Sequence, residues 1–465
     1  MPIPSFERSQ RVGRGMAAKL PLALFFALCA LVSNAQERIV KGIDAANAIS
    51  QLVGNIERDY LYGIDESSLL TPCYSALAIS PSPPTPRIEA LKDAFSKIPE
   101  RDVGLSAELC ARGVASALRL SPRAFVGYSE LQAMTGRRFP GSLGTSFRSR
   151  ADGAVVISTI DESPAQVAGL ARGDLLLDID GRALAGLSDA EVLYSFRGDV
   201  GSNAAVRFLH KGSGETRSVN IRRAVVTKPL VRSHLLEGGW GYLAIGAMQE
   251  FGYHAVVEQL QALRKKHGQK LSGRVIDLRT NQGGILEAAA GTASLFLKVG
   301  EPVVEMRGRN DAVLKKLRAN DLSLPRPRVI ATDFATDLKE MPLAVLVSES
   351  TASGAEAFAA ALQDANRAVI VGAKTAGAGV VQNAMPIVGR VMVMIATSQM
   401  HRPSGSAIHG NGVLPDQAIE YPPSPDGLGS DFGSLDNAPT NLHLDPAIVR
   451  ALASFNAKVA PALRP

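Results

Sequence analysis

Residues 343–364, LAVLVSESTASGAEAFAAALQD, contain three consecutive patterns that indicate the class of the fold. Its first five residues are aliphatic, which is typical of a strand buried on both faces. Residues 355–364 predict a helix, and Ser353 lies in the polar turn that joins the strand to the helix. A strand followed directly by a helix is the repeating unit of an α/β core.

A serine at the start of a helix has two interpretations. It can cap the helix by accepting a hydrogen bond from a main-chain amide. It can instead be a nucleophile whose oxyanion is held by main-chain amides at the helix terminus. The local sequence around Ser353 by itself favours the cap, so the chemical interpretation depends on other segments.

The alternation of strand and helix extends outward on both sides, from about residue 238 to residue 420. Residues 240–245 and 273–278 predict two further strands, each followed by a helical pattern. The second strand leads to Gly283-Gly284, a pair that can present an unhindered main-chain amide but also makes an ordinary turn. We therefore expect one α/β or α+β core over this region.

Residues 124–226 have a different pattern, in which short β-rich runs alternate with glycine turns. Residues 163–181, SPAQVAGLARGDLLLDIDG, predict a short helix that begins at Pro164, a glycine stop, an apolar strand and an Asp-Gly turn. This order of elements predicts a self-contained module ahead of the core.

The amino-terminal segment has the pattern of an export signal. Residues 20–32, LPLALFFALCALV, follow basic residues and precede Ser33-Asn34-Ala35, which is typical of a signal peptide cleaved after Ala35. A helix of about 13 residues spans about 20 Å, short of the ~30 Å hydrocarbon core, so we expect an export signal and no membrane span after its removal. Residues 36–122 predict a helical cap, interrupted by a proline-rich loop at residues 81–86.

Composition excludes several classes of protein. Hydrophobic residues make up 46% and charged residues 20% of the chain, which excludes a wholly disordered or fibrous protein. The net charge is +6, of which residues 1–35 carry about half, and no Lys/Arg run resembles a nucleic-acid patch. Metal-binding and nucleotide-binding motifs are also absent from the sequence, so we expect no cofactor, no metal and no nucleic-acid partner.

Cys73 and Cys110 are the two cysteines that follow residue 35. An even pair in an exported chain is typical of a disulfide, and the alternative is two buried thiols. A disulfide would tie together the two sides of the proline-rich loop.

Taken together, the segments resemble the carboxyl-terminal processing proteases, a family of serine peptidases with an embedded PDZ domain. The resemblance rests on the segment around Ser353, on Asp277-Leu278-Arg279 with Gly283-Gly284, on residues 408–416, and on the PDZ-like pattern of residues 163–181. It implies an α+β multidomain fold, divided into a signal peptide at 1–35, a helical N-terminal cap at 36–122, a PDZ domain at 124–226, a protease core of the crotonase-like spiral type at 238–420 and a polar C-terminal tail with a short helix at 421–465.

The same resemblance implies roles for individual residues. Ser353 would be the nucleophile, and Gln382 would orient the general base. Amides of Gly283 or Gly284, together with that of Gly354, would hold the oxyanion.

The PDZ module implies binding of polypeptide C-termini by strand addition, with the terminal carboxylate held by main-chain amides of a loop. The residues in the position of that loop are Gly141, Ser142, Leu143 and Gly144. The alternative is a PDZ fold that acts only as a spacer or gate.

One position departs from the family pattern. The general base of the family is a lysine in a Gly-Lys-Gly turn, 25 residues after the serine, whereas the turn here is Gly377-Ala378-Gly379. Alanine cannot accept a proton, and loss of general-base catalysis is expected to cost ~10²–10⁴ in rate.

Three other residues are candidates for the missing base. Lys374 is the first, although a surface lysine is the alternative interpretation of that residue. His401 and His409 are the nearest histidines in sequence, and histidine has a suitable pKa for a base.

Two main hypotheses follow. The chain is an exported serine endopeptidase, periplasmic or secreted, that recognises polypeptide C-termini and cleaves with Ser353. Alternatively, it is a catalytically silent homologue that binds peptides or acts as a scaffold, because Ala378 replaces the base. An esterase or amidase that uses the same serine is a third hypothesis.

Overall fold

The computed structural model describes residues 42–78, 87–118, 125–127, 140–250, 252–268, 271–321, 332–386, 391–420 and 442–455. The predicted signal peptide and the proline-rich loop at residues 81–86 lie outside these ranges and stay predictions. In the ranges described, no helix combines the length and hydropathy needed to cross a membrane.

In the described ranges, the amino-terminal cap has the helices α1 (Gly42–Asp59), α2 (Glu66–Ala76), α3 (Ile88–Ser96) and α4 (Glu100–Ser116). Their apolar faces bury side chains such as Ile49, Leu69 and Phe95 in one core. A disulfide between Cys73 and Cys110 joins α2 to α4. The two helices pack closely because α4 carries Gly113, where an added Cβ would lie 2.7 Å from the main-chain nitrogen of Cys73.

The PDZ module is a small antiparallel sheet with two short helices. The elements are β2 (Gly141–Ser142), β3 (Thr145–Arg150), β4 (Gly153–Thr159), α5 (Pro164–Val167), β5 (Leu175–Ile179), β6 (Arg182–Ala183), α6 (Asp189–Phe196), β7 (Asn203–Leu209), β8 (Thr216–Arg222) and β9 (Ala224–Val225). The sheet has the order β3-β4-β5-β7-β8, with β6 paired to β5, and β2 pairs with β9 in a separate two-stranded sheet.

Local sequence fixes the two helices of this module. Ser163 caps α5 by accepting a hydrogen bond from Gln166 N, and Pro164 is the first helical residue. Ser188 and Glu191 form a capping box at the start of α6. Strand β3 lies at one edge of the sheet, and Phe147 on β3 packs edge-on against Phe196 of α6 with 4.7 Å between ring centroids.

The core is built on a six-stranded sheet of β10 (Val231–Leu236), β11 (Trp240–Ile245), β12 (Gly273–Asp277), β15 (Leu343–Val347), β16 (Val369–Gly372) and β19 (Gln417–Ala418). The strands lie in that order in the sheet. All neighbouring strands are parallel except β10 and β11, which are antiparallel. The connecting helices are α7 (Gly252–His267), α8 (Leu286–Ala293), α9 (Thr332–Glu340) and α10 (Gly354–Asp364).

This topology brings three segments to one edge of the sheet. Because β12, β15 and β16 are parallel neighbours, their carboxyl ends meet at the same edge, where open α/β sheets bind ligands. The chain leaves β12 toward Gly283-Gly284, leaves β15 toward Ser353, and leaves β16 toward Gly377-Ala378-Gly379. The three sequence segments singled out for chemistry therefore lie side by side.

A second sheet contains β1 (Phe125–Gly127), β13 (Pro302–Arg307), β14 (Val313–Arg318), β17 (Val380–Pro386) and β18 (Val391–His401). Its order is β1-β18-β13-β14, with β17 also paired to β18. Residues 125–127 fall in the predicted PDZ region at 124–226, but they pair with β18 in this sheet. Local pattern cannot reveal such a choice, because the partner strand is more than 260 residues away in sequence.

The cap packs against the hairpin formed by β17 and β18 of this second sheet. Ile395 and Ala396 of β18 are buried in the core of the cap, and Leu61 N donates to Ala396 O at 2.9 Å. Arg309 adds a second link, since its Nη1 donates to Glu57 O at 2.8 Å. The hairpin formed by β17 and β18 is thus covered by the cap.

The carboxyl-terminal helix is part of the core. The region 421–465 is predicted as a polar tail with a short helix, and the structure has α11 (Pro446–Phe455) there, after a 3₁₀ turn at Leu442–Leu444. Ile448 and Ala451 are buried against the sheet in a cluster that includes Trp240 and Tyr242. Helix α11 therefore closes one face of the six-stranded sheet.

Candidate active site

Ser353 stands in a strained turn between β15 and α10. Its φ of 54° and ψ of −122° lie in a region that non-glycine residues rarely adopt, at a cost of about 1–3 kcal/mol. Its main-chain amide donates to Glu356 Oε2 at 2.8 Å, and the residue is only partly buried. This contact engages the main-chain amide of Ser353 and not its hydroxyl.

Glu356 is the residue on which the site is organised. Its side chain is fully buried, and Oε1 accepts hydrogen bonds from Thr375 Oγ1 at 2.5 Å and from Gly377 N at 2.7 Å. Oε2 accepts from Ser353 N and from Ala378 N, each at 2.8 Å. One carboxylate therefore joins the turn of the serine to the turn that follows β16. The sequence contains Glu356 in a matched motif, but its neighbours along the chain do not reveal these long-range partners.

The shared oxygen sets the distance between the two turns. Since Ser353 N and Ala378 N each lie 2.8 Å from Oε2, the two nitrogens are no more than about 5.6 Å apart. Ala378 is exposed. The structure thus places the alanine of the Gly-Ala-Gly turn beside the serine, in the position where the resemblance expects a base.

The turn around Ala378 is held by its two glycines. Gly377 has a φ of 72°, and its carbonyl accepts a hydrogen bond from Gly410 N at 2.9 Å. A Cβ added to Gly379 would lie 2.2 Å from His409 N, so this position accepts only glycine. Residues 408–412, which the sequence singles out as a late strand-turn, serve here as the backbone support of the turn.

The three residues considered as substitute bases, Lys374, His401 and His409, do not lie in this turn. Lys374 is exposed and forms no hydrogen bond or ion pair with the described part of the chain, whereas the next residue, Thr375, is buried and reaches Glu356. The side chain of His401 bonds locally, with 2.9 Å between Nδ1 and Gly405 O, and His409 is exposed. No contact in the described residues connects any of these three with Ser353, and their role as a base stays a prediction.

The oxyanion segment touches the serine directly. A Cβ added to Gly283 would lie 2.6 Å from Ser353 Cβ, so only glycine fits there. Gly283 N already donates to Asn281 Oδ1 at 2.8 Å. The amides of Gly284 and Gly354 have no acceptor within the ranges described, and they are therefore the two donors available to an oxyanion.

Neighbouring strands fix the oxyanion segment in place. Asn281 is fully buried, its Nδ2 donates to Ile245 O at 3.0 Å, and its carbonyl accepts from Ala352 N at 3.1 Å. Met248 N donates to Gly283 O at 2.8 Å. Asn281 is a site residue that the sequence analysis does not identify, although its position one residue before Gln282 and the glycines is a signal for an Asx turn.

A buried charge cluster lies behind this segment. Arg279 pairs with Asp277 and with Asp445, which precedes α11. Tyr242 Oη donates to Asp277 Oδ2 at 2.8 Å, and burial, followed by the charge of Asp277, raises the pKa of Tyr242 well above 10. The carbonyl of Arg279 accepts from Ser348 Oγ at 2.6 Å, which links the cluster to the loop that carries Ser353.

Gln382 is exposed on β17, where it pairs with Ala396 of β18. The structure shows no hydrogen bond from its side chain to another described residue. Its predicted role in orienting a base stays a prediction, and Ala378 offers it no basic group to orient.

Main-chain and side-chain contacts hold the predicted carboxylate-binding loop of the PDZ module in place. Leu143 is buried and its carbonyl accepts from Ala165 N at 2.8 Å, while Gly144 O accepts from Ile160 N at 2.9 Å and from Ser163 Oγ at 3.1 Å. Gly144 has a φ of 82°, and an added Cβ would lie 2.3 Å from Ser163 Cβ. The loop stands at the start of the edge strand β3, as strand addition of a peptide requires.

No group of three or more His, Cys, Asp or Glu side chains that could hold a metal occurs in the described residues. The arrangement around Ser353 consists of a strained serine, two available amides and a turn without a base. It can bind and polarise a carbonyl group, and it needs a proton acceptor to cleave one.

Comparison with known families agrees with this geometry. Residues 239–419 match the family model of Peptidase family S41, and residues 141–221 match that of the PDZ domain. The expected resemblance and the α+β multidomain fold are thereby confirmed.

Two individual relatives are similar in sequence to this chain. The "Carboxy-terminal-processing protease" of Bartonella bacilliformis is 32% identical over 285 residues, which are 61% of this chain and 62% of the relative. The "Probable CtpA-like serine protease" of Staphylococcus aureus is 28% identical over 281 residues, which are 60% of this chain and 53% of the relative. These alignments span less than two thirds of either relative.

Among solved structures, a photosystem II D1 C-terminal processing protease aligns with a TM-score of 0.53 and 21% identity, covering 81% of this chain and 93% of that chain. This likeness shows the fold.

Proposed function

We propose, on the premise that this chain combines an S41 peptidase core with a PDZ domain, that it is an exported serine endopeptidase that recognises polypeptide C-termini. The observation that carries the proposal is the contact between Ser353 and Gly283, which sets a strained serine beside two available amides. Strained backbone at a nucleophile is a common device for exposing its hydroxyl.

The proposed reaction begins with attack of Ser353 Oγ on a peptide carbonyl carbon. The oxyanion that forms is received by the amides of Gly284 and Gly354, and each such donor contributes a large part of transition-state stabilisation. A base must take the proton of the hydroxyl and return it to the leaving nitrogen. Lys374 is the residue of this chain first proposed for that role.

The PDZ module supplies substrate selection in this proposal. A polypeptide adds as a strand to the side of β3 that no other described strand pairs with, beside α6, and its terminal carboxylate meets the loop at residues 141–144. The proposed occupants are therefore chains with a free C-terminus. Export follows from the signal pattern of residues 1–35, and mass spectrometry of the mature amino terminus from a secreting host tests cleavage after Ala35.

A catalytically silent peptide-binding protein is the second candidate, and Ala378 is the observation that favours it. The two candidates share the PDZ module, so binding of a peptide alone does not distinguish them. They differ in whether Ser353 catalyses cleavage of a peptide bond.

The experiment compares the wild type, Ser353→Ala and Ala378→Lys on an unfolded polypeptide, with a free or an amidated C-terminus. Cleavage by the wild type that is lost in Ser353→Ala and weakened by amidation supports the endopeptidase. Equal, negligible cleavage by the wild type and Ser353→Ala, with activity gained in Ala378→Lys, establishes the silent binding protein instead.

A further inference from the structure

The carboxylate of Glu356 is buried with neutral partners alone. Its four donors are one hydroxyl and three main-chain amides, and no cation contacts it in the described part of the chain. Buried carboxylates are most often paired with a cation. A positive charge that arrives beside this carboxylate is therefore favoured.

The accessible position near the Glu356 carboxylate is the exposed side chain of Ala378. Main-chain hydrogen bonds fix the turn on the protein side, through Ala378 N to Glu356 and through Gly410 N to Gly377 O. Ala378 itself is exposed, and Ser353 is partly exposed. A small basic group that lies against the methyl group of Ala378 is thus near both the serine and the buried charge.

We propose that the space beside Ala378 is a subsite for a primary amine carried by the ligand, namely a lysine side chain of the bound polypeptide. The amine, in place of Lys374, then serves as the general base of Ser353. This inference rests on the proposed function and deepens it, because it names lysine-bearing polypeptides as the substrate class.

The protons of this reaction balance without a further reactant. The neutral amine takes the proton of Ser353 Oγ as the Oγ–C bond forms, and the resulting ammonium gives it to the leaving nitrogen as the C–N bond breaks. Water then attacks the acyl-serine ester, the amine takes a proton from it, and that proton returns to Oγ as the ester bond breaks. The amine is regenerated.

The reaction has two signatures. The base is the neutral amine, and a carboxylate nearby keeps the pKa of a bound amine at or above its unperturbed value of about 10.4, so activity rises about tenfold per pH unit up to about pH 10. The subsite needs a nitrogen lone pair, so a primary amine acts and a quaternary ammonium ion of similar size does not.

The experiment uses the full mature chain and a lysine-free polypeptide with a blocked amino terminus. Propylamine is added as the probe, with propanol and tetramethylammonium as controls, and the same polypeptide with one lysine is the second substrate. We expect at least a tenfold gain from propylamine at pH 9, a gain from the lysine, none from the controls, and no cleavage by Ser353→Ala.

Two variants locate the effect. Ala378→Met fills the space with an uncharged side chain and is expected to abolish the gain, whereas Ala376→Met, two residues earlier and also exposed, keeps it. An equal gain in Ser353→Ala, or a gain that survives Ala378→Met, overturns the subsite.

The failure of the subsite and that of the proposed function give different results. If propylamine and lysine have no effect while the wild type still cleaves the polypeptide and Ser353→Ala does not, the subsite is refuted and the proposed endopeptidase stands. If the wild type and Ser353→Ala show equal, negligible cleavage of both substrates with and without propylamine, both are refuted.

Discussion

Arg279 and Asp445 form an ion pair in which both side chains are buried, with 2.5 Å between Nη2 and Oδ2. They lie 166 residues apart in sequence, one at the oxyanion segment and the other at the start of α11. Asp445 Oδ1 also accepts from Ala447 N at 2.9 Å, so the same carboxylate begins the helix and holds the arginine. The carboxyl-terminal helix is thereby connected to the candidate active site.

Removal of Asp445 is expected to be strongly destabilising. Asp445→Ala leaves a buried guanidinium with one carboxylate fewer, and breaking a buried ion pair costs about 3–5 kcal/mol. Urea unfolding measures the loss. The matched control is Asp93→Ala, which removes the exposed partner of Lys97 and is expected to cost less than about 1 kcal/mol. Similar losses in both variants would contradict the role given to Asp445.

A lysine at position 378 is expected to create activity. An extended lysine side chain reaches about 6 Å from its Cα, and the amides of Ser353 and Ala378 are joined through one oxygen of Glu356. Ala378→Lys should therefore raise the initial rate of peptide cleavage by about 10²–10⁴. Ala376→Lys, in the same exposed segment, is the control and should leave the rate unchanged. A gain in both variants would mean that general positive charge, and not a positioned base, causes it.

Glu356→Gln is expected to disrupt both turns. In the variant, the NH₂ group of glutamine replaces one carboxylate oxygen and cannot accept the hydrogen bonds that this oxygen accepts in the wild type. Each buried donor left without an acceptor costs about 1–3 kcal/mol. We expect a loss of about 3 kcal/mol or more in urea unfolding. We also expect slower labelling of Ser353 by a fluorophosphonate. Glu349→Gln, on an exposed residue of the same loop, is the control; a wild-type labelling rate in Glu356→Gln would refute this role.

Asp364 makes stability depend on pH at the end of the helix that begins after Ser353. Burial raises the pKa of Asp364, but hydrogen bonds from Arg402 and Ser404 outweigh it and hold the pKa below 3.8. A carboxyl whose folded pKa is lowered stabilises the fold above its unfolded pKa, and this contribution is lost as the pH falls through the folded value. We therefore expect the stability difference between wild type and Asp364→Asn to shrink below about pH 4. Urea midpoints from pH 2 to 7 check this, and a constant difference would contradict it.

Much of the fold follows from local sequence. The strands at residues 240–245 and 343–347 have the predicted bounds, because a run of apolar residues between polar turns marks a buried strand. The helix of residues 355–364 begins one residue earlier than predicted, at Gly354. The short PDZ helix begins at Pro164 as predicted, since serine and proline are strong start signals.

The support of the site could not be predicted in this way. Glu356, Asn281 and Asp445 act through partners that are distant along the chain, and their local patterns suggest only a helix start, a turn and a cap. The same holds for β1, which pairs with β18 rather than with the PDZ sheet. Such contacts depend on the packing of whole elements and are not encoded in any single segment.

The hairpin of β17 and β18 has a consequence for how the molecule melts. Ile395 and Ala396 belong to the core of the cap, while Met400 on the same strand belongs to the core around the six-stranded sheet. The PDZ module keeps a hydrophobic core of its own. One strand shared by two cores couples their disruption, so we expect calorimetry to resolve two cooperative transitions from three modules. Three separate transitions would show that the cap melts independently.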